Sequence, residues 1–562
     1  MKTGYFRMLF TLLAVLLLGS AAKAQTIHYV TPTGANPTTG NKWEVTGNVK
    51  SLTAALEDAV AGDQIWVLGF EQISTAEQLY VLPENAKDEE KANGFVLKSG
   101  VKLYGGFRGT ERTIDERPTL GKAPYFTYRS VLSGDINRDD KVDEINYVYP
   151  TNTTRSDNAK HVLSLNIEPT KDSGNINTYP TVVNGLTVIG GNAIGGNGGG
   201  IYVYGDNTGG GAYQIEKCFL LNNYAELGGG AIYVSADVKA TSTESRIVDC
   251  VVYNNLAGVR SGAENLGGGI RIDGAGTIVN SSIFNNEGGG VRLSSSAKAV
   301  NLTIARNTVM GIEGGAVYSS VIWGNSKVQN PASADIFHNC ASDNATIAEG
   351  DKCFAISSES NGANSPLFEA PSVFTSFDRD FDWRRTAYPT WSWGILEGSV
   401  LIDKGNDGAY TGLPSTDLAG ETRKKGTIDI GAYEYQHLDA GRIRYVKVGG
   451  TGDGSSWDKA SGDLQKMIDE LATIDAPGEV WVAAGTYRPT TQIIEGVQYA
   501  ASFRMRDGID VYGGFAGTEP SKADRAKGSM PWIYTNETIL LGADYENGTA
   551  TWANNQWNVT SS

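Results

Sequence analysis

A ladder of asparagines and glycine pairs runs through the middle of the chain and constrains its fold more than any other feature. Phe219-Leu220-Leu221-Asn222 is followed by Gly229-Gly230-Ala231-Ile232, and Ile304-Ala305-Arg306-Asn307 by Gly314-Gly315-Ala316-Val317. Related steps pair Ile189…Asn192 with Gly199-Gly200-Ile201, Val251…Asn254 with Gly268-Gly269-Ile270, and Ile283…Asn286 with Gly289-Gly290-Val291. A recurring short strand, turn Asn and tight Gly corner make one coil of a solenoid. Asn192, Asn222, Asn254, Asn286, Asn307 and Asn325 follow one another at 30, 32, 32, 21 and 18 residues. The short intervals suit one coil and the long ones a coil with a loop. The Asn register is open by one, because Asn222-Asn223, Asn254-Asn255 and Asn285-Asn286 are pairs. Aliphatic and polar residues alternate in Gly-Ile-Tyr-Val and Gly-Ile-Arg-Ile, as in strands with one buried face.

The rest of the composition agrees. Glycine supplies 70 of 562 residues, about twice the usual share of roughly 7%. The net charge is −16, and the basic stripe of a nucleic-acid binder does not occur, so nucleic acid is not an expected partner. Lys2 and Arg7 precede the apolar run from Met8 to Leu18, and Ala22-Lys23-Ala24 follows. That order reads as a signal peptide over 1–24 and predicts export to the cell surface, outer membrane or medium. No later segment is apolar enough to cross a membrane. Four cysteines are too few to define the fold. Cys218 and Cys250 occupy one register of the ladder. Coils about 4.8 Å apart put them within disulfide reach or stack them as buried thiols. Cys340 and Cys353 can close a surface loop.

An older repeat overlies the ladder. Tyr104-Gly105-Gly106-Phe107-Arg108-Gly109-Thr110-Glu111 answers Tyr512-Gly513-Gly514-Phe515-Ala516-Gly517-Thr518-Glu519, an offset of 512 − 104 = 408. His28-Tyr29-Val30 answers Arg444-Tyr445-Val446, and Trp43 answers Trp457. Each copy carries one amphipathic helix. Leu52, Ala55, Leu56, Ala59 and Val60 share a face in the first, and Leu464, Met467, Ile468 and Leu471 in the second, with Asp463 as N-cap. A solenoid end exposes strand edges, and these helices are expected to cover it. The organisation follows: cap and first coils over 25–120, β-helix body and closing coils over 121–437, a linker over 438–443, and an incomplete second module over 444–562. The second module's Gly-rich coils do not arrive before Ser562, which suggests a longer protein.

Phe219…Asn222 with Gly229-Gly230-Ala231-Ile232 resembles the paired motif of chlamydial polymorphic outer membrane proteins. Tyr104-Gly105-Gly106-Phe107 and the closing Asp429-Ile430-Gly431-Ala432-Tyr433-Glu434 look like signatures of related secreted bacterial surface proteins. The resemblance covers nearly the whole mature chain. It implies an all-β, right-handed parallel β-helix that is exported and adhesin-like.

Three places can carry chemistry. The residues following the Gly-associated aliphatics are Tyr202, Tyr233, Arg271, Arg292 and Tyr318. They should point outward and form a stripe able to stack on sugar rings and bind hydroxyls or carboxylates. Repetition alone also produces such columns, with Tyr neighbours stabilising one another. Asp135, Asn137, Asp139 and Asp143 alternate as oxygen ligands for Ca²⁺, resembling a dockerin-like loop. Asp140 stands where a turn Gly is expected, and a solvated acidic loop is the other reading. The segment Phe377 to Arg385 with Trp391-Ser392-Trp393 is rich in rings and charges, and suits a closing coil better than a sugar cleft. Acidic residues of the coils, Glu216, Asp249, Asp273 and Glu313, look scattered, and the four histidines form no metal spacing. The function expected is adhesion or binding of a polysaccharide or cell-surface glycan along a lateral face. A polysaccharide lyase or glycoside hydrolase and a passive spacer are the alternatives.

Overall fold

The protein is described from a computed structural model. It covers residues 25–561 apart from 37–42, 45–48, 121–124, 141–152, 169–170, 173–174, 177–178, 206–210, 240–244, 259–264, 327–336, 344–352, 360–363, 371–391, 409, 437–439, 474–476, 490–501, 531–532, 542–547 and 554–555. The signal-like segment 1–24 therefore lies outside the described residues. The chain divides into two units, Met1–Tyr435 and Gln436–Ser562.

Unit 1 is a parallel β-helix. One coil shows the plan. Tyr213–Glu216 lies in a first sheet, Phe219–Leu221 in a second, Tyr224–Ala225 in a short bridging sheet and Ile232–Val234 in a third, before Arg246–Val248 returns to the first. Among the described residues, sheets 1, 2 and 3 hold eleven, nine and seven strands. Equivalent residues of successive coils are direct register partners, as in Ile215 beside Ile247 and Leu220 beside Val252. Alternation therefore sends columns of Val, Ile and Leu inward, where Val183, Ile215, Ile247 and Ile278 are fully buried. Burial of these columns is the main stabilising term.

Two corners of each coil demand left-handed backbone. Between sheets 1 and 2 it is taken by Gly185, Lys217, Asp249, Asn280, Asn301 and Ser319. At the end of sheet 2 it is taken by Gly190, Asn222, Asn254, Asn285, Arg306 and Gly324. Asn and Gly dominate because they tolerate this region best. The asparagine after the second corner points into the coil. Asn223, Asn255, Asn286, Asn307 and Asn325 form one amide column, each Nδ2 donating to the next Oδ1 at 3.0 Å. Each Oδ1 also accepts the preceding asparagine's backbone N–H, at 2.9 to 3.1 Å. Thus the ladder runs through the second Asn of each pair, and the first takes the bend. Asn192 belongs to neither column; its place at the head of the ladder is held by Gly191, whose N–H donates to Asn223 Oδ1.

The glycines answer the asparagines across the coil. A Cβ on Gly200, Gly290 or Gly311 would lie 3.0, 2.8 and 2.8 Å from the Nδ2 of Asn223, Asn307 and Asn325. The residue entering sheet 3 must therefore be small.

The first helix, α1 (Leu52–Asp58), buries Leu52, Ala55 and Leu56, and Ser51 caps it by accepting from Ala54 N. It packs on the strands Ile27–Val30, Gln64–Leu68 and Phe95–Leu97 that open the helix. Val60, expected on the same face, lies beyond the helix and is exposed. A second helix, α2 (Asp88–Asn93), is exposed on the surface. In unit 2, α3 (Leu464–Ala472) buries Leu464, Met467, Ile468 and Leu471, and Asp463 is its cap as expected. The duplicated motif repeats its packing: Trp66 stacks on Phe107 at 4.5 Å, and Trp481 on Phe515 at 4.9 Å. Gly106 and Gly514 both have φ near +90°, each pressed against the ring of Phe126 or Tyr534.

All four cysteines are free thiols. Cys218 and Cys250 are buried in one column, and Cys340 and Cys353 are register partners in adjacent strands. Among the described residues no helix is long and apolar enough to cross a membrane.

Asn255→Ala removes the acceptor of two Asn223 donors and the donor to Leu220 O and Asn286 Oδ1. Its urea midpoint is expected to fall by the equivalent of about 3 kcal/mol. Asn254→Gly, at a bend that glycine adopts freely, should cost about 1 kcal/mol. Equal losses at the two positions would refute the division of labour between paired asparagines.

Candidate functional site

The closing segment decides which faces remain open. After the antiparallel pair Phe368–Ala370 and Ser392–Ile395, the chain lies over sheet 2. Trp393, Leu401 and Ile430 are buried there against the outward column Tyr253, Phe284 and Trp323. Trp393 is thus part of the closing packing; Phe377 to Arg385 and Trp391 lie outside the described residues. Sheet 2 is covered on both faces, whereas the stripe expected on sheet 3 is not part of that cluster.

On sheet 3 Tyr202, Tyr233, Arg271 and Arg292 are successive register partners. Tyr318 does not join them. It sits in sheet 1 between Val300 and His338 and stacks on His338 at 4.6 Å. The coil from Asn307 to Asn325 has only 18 residues, and enters sheet 3 through Gly311, so Gly314-Gly315 falls at the next corner. Glu313 takes the fifth place, beside Arg292.

The rings stack along the helix axis. Tyr202 lies 4.7 Å from the His161 ring and 5.6 Å from Tyr233, with interplanar angles of 14° and 11°. The Arg271 guanidinium lies 5.8 Å from the Tyr233 centroid. Ring faces are therefore occupied by neighbours, and ring edges and hydroxyls are what the stripe can present. The Tyr233 hydroxyl donates to Asp273 Oδ2 at 3.0 Å, and Arg271 binds the same carboxylate through Nε and Nη2, both at 2.9 Å. Arg271 Nη1 donates to Leu227 O, and Arg292 Nη1 to Asn265 O. Burial, then Asp273, holds the Tyr233 phenol above its ordinary range. Burial lowers His161 to about 4, so it is a neutral packing ring at neutral pH.

The acidic loop is rearranged relative to expectation. Asp135 is buried and accepts the N–H groups of Asp139 and Asp140. Asn137 contributes its backbone N–H to Asp157 Oδ2, and Asp143 lies outside the described residues. The carboxylate oxygens that converge, all within 4.8 Å, belong to Asp135, Asp139 and Asp157. Asp157 is too far along the chain for a loop motif to announce. Burial and Asp140 raise Asp135 to about 7. The three hard oxygens suit Ca²⁺ in kind, and supply three of its six to eight ligands.

Glu216 and Asp249 are neighbours at one corner, although they look scattered in the chain. Glu216 accepts from Arg246 at 2.8 Å and from Asn184 Nδ2 at 3.1 Å, and Arg117 donates to Asn184 Oδ1 at 3.0 Å. Asp249 accepts from Asn280 Nδ2 at 2.6 Å, and burial raises it to about 6. The 32-residue coil, already visible in the Asn spacing, sets Val248 beside Glu216 and Asp249 in the corner column of Lys217, which brings the two carboxylates near one another. Each carboxylate is held by a cation or an amide, an arrangement that ties strands together.

A second buried cluster closes unit 1. Arg423 pairs with Glu434 at 3.3 Å and donates to Ala432 O at 2.8 Å and to Asn280 Oδ1. Asp417 accepts the N–H groups of Ala419, Glu421 and Glu434, while Asp429 accepts those of Asp403 and Tyr435. Asn301 and Thr303 of the coils bind Asp429 O and Ala432 N. Burial, then Asp429, raises Glu434 to about 8 despite Arg423, and burial raises Asp429 to about 6.

The chain matches no protein-family model and no curated protein. Among solved structures it is similar to the crystal structure of pectate lyase Pel9A at 12% identity, with a TM-score of 0.36, covering 73% of this chain and 97% of that one.

The closing cluster predicts a pH dependence. The folded values of Glu434 and Asp429 lie above the unfolded values of roughly 4.3 and 3.9. Between about pH 4 and 8 the folded state thus holds protons that the unfolded chain has released. Stability therefore falls as pH rises from about 5 to 8. Thermal melts across that range should show the decline for unit 1, and Glu434→Gln should flatten it; a rise with pH in the wild type would contradict the assignment.

Proposed function

We propose that the protein is an exported β-helix that binds a polysaccharide along the outer face of sheet 3. The observation that carries this reading is the register of Tyr202, Tyr233, Arg271 and Arg292 on a face that the described residues of the closing segment leave aside. The signal-like N-terminus and the resemblance to surface-protein repeats support export and display.

The chemistry of the stripe narrows the ligand. Its ring faces are occupied, so recognition proceeds through hydroxyls and the edges of guanidinium and carboxylate groups. Arg271 is matched by Asp273, and Arg292 lies beside Glu313. The stripe therefore alternates donors and acceptors with little local net charge, on a chain of net charge −16. Sugar hydroxyls, which donate and accept, fit this pattern better than the carboxylates of a polyuronate. Each coil adds a weak contact about 4.8 Å from the last, and contacts in series raise the affinity for a long chain.

Affinity electrophoresis against neutral and acidic polysaccharides tests the reading. Retention by a neutral glycan is expected, without new reducing ends or unsaturated uronate absorbance. Arg292→Ala, and Tyr233→Ser combined with Arg271→Ser, should each weaken retention at least tenfold while the circular dichroism spectrum is kept. Unchanged retention by folded variants would sink the sheet 3 site, and cleavage products would replace binding with catalysis.

A further inference from the structure

The stripe on sheet 3 has two borders of different chemistry. Toward sheet 1 it meets Asp273, which takes the Tyr233 hydroxyl and the Arg271 guanidinium. On the other side each coil enters sheet 3 from the bridging sheet, and there lie Ile194 and Leu227. They follow the bridging strands Asn192–Ala193 and Tyr224–Ala225 and precede Ile201–Tyr204 and Ile232–Val234. Ile194 is 54% and Leu227 50% exposed, and they are the only exposed large hydrophobics among the described residues from Leu186 to Trp323.

A single exposed aliphatic needs no explanation; the placement of these two gives them one. Their loops are joined, with Gly195 N donating to Glu226 Oε2 at 2.7 Å and Leu227 N to Gly196 O at 2.9 Å. The second loop is also joined to the stripe, because Arg271 Nη1 donates to Leu227 O at 2.8 Å. The guanidinium reaches that carbonyl across Gly228, whose φ is +147° and where a Cβ would lie 2.8 Å from Arg271 Cδ and 2.9 Å from Nη1. Asp273 and Leu227 O take three of the Arg271 N–H groups among the described contacts, and a guanidinium has five. An N–H donor and an exposed aliphatic residue therefore share one spot.

That pairing fits a ligand group that carries a carbonyl oxygen beside a methyl. A sugar hydroxyl offers the acceptor without the methyl, and a deoxy carbon the methyl without the acceptor. An acetamido group offers both. We propose, resting on the sheet 3 reading, that the preferred ligand of this face is a neutral glycan of N-acetylated amino sugars. The acetamido methyls lie against Leu227 and Ile194 on successive coils, and the acetamido oxygen accepts from Arg271. Leu227 is then the residue that sets specificity within the glycan site. Methyl groups buried at two coils are worth about tenfold together.

The test is isothermal titration of the full chain with chitohexaose and with cellohexaose, which differ on each ring by an acetamido group against a hydroxyl. Chitohexaose is expected to bind at least tenfold more tightly. Leu227→Ser, at a half-exposed loop position, should bring the two affinities within about threefold, and Leu227→Met should keep the preference; circular dichroism checks that both variants are folded. Equal affinity for the two hexaoses, or a preference that Leu227→Ser does not move, overturns the proposal and leaves the sheet 3 reading standing. Absent chitohexaose binding also overturns it, and the sheet 3 reading falls with it only when no neutral glycan is retained.

Discussion

The amide column from Asn223 to Asn325 is the interaction on which unit 1 depends. A solenoid coil must turn sharply while burying the polar backbone of its corner, and an unpaired buried amide costs about as much as a lost hydrogen bond. One asparagine per coil resolves this. Its Oδ1 takes the N–H groups of the coil below, and its Nδ2 serves carbonyls and the coil above. Because each member is satisfied by its neighbours, the column repeats only if every coil repeats it. The demand spreads to two other positions: the preceding residue must take a left-handed bend, and the residue entering sheet 3 must be small enough to face the amide. Three columns of the coil thus follow from one side chain.

That coupling explains what the sequence disclosed. Paired asparagines and glycines are the chemical trace of the corner, so the parallel β-helix, its inward aliphatics, the helices α1 and α3 and the cap residue of α3 were legible. The register within the Asn pairs was not, because both members are favoured there for different reasons: Asn222 for its backbone and Asn223 for its amide. The same ambiguity misplaced Tyr318. Gly314 and Gly315 look like the earlier pairs, but they serve the turn from sheet 3 to sheet 1, where both have positive φ. A Gly pair does not say which corner it makes once the coil shortens.

The acidic sites show a second limit. Asp157 joins Asp135 and Asp139 from a separate segment, and Asp249 comes near Glu216 only because its coil stacks on the one before. A local motif scan sees neither. A solenoid converts distance along the chain into contact at the coil length, so reading the sequence in columns of that length recovers Lys217 with Asp249 and leaves Glu216, whose partner is Val248, one position out of register. It cannot recover Asp157, which comes from outside the repeat.

The regularity that builds the fold also limits what its faces can recognise. Translation by one coil brings identical side chains into parallel contact, so flat groups stack on each other, as Tyr202 does on Tyr233 and His161. A column of rings along the axis has spent its faces on cohesion. What reaches outward is the rim: hydroxyls, guanidinium edges and the carboxylate of Asp273. Rims recognise by hydrogen bonds, weakly at each coil and repeatedly along the axis, which favours a long ligand with a repeat of its own. A departure from regularity has the opposite effect. Where a column changes, as Glu313 follows the pair of arginines, the surface acquires an end and therefore a direction. Such breaks, rather than the repeats between them, are where a β-helix of this kind can distinguish one end of a bound chain from the other.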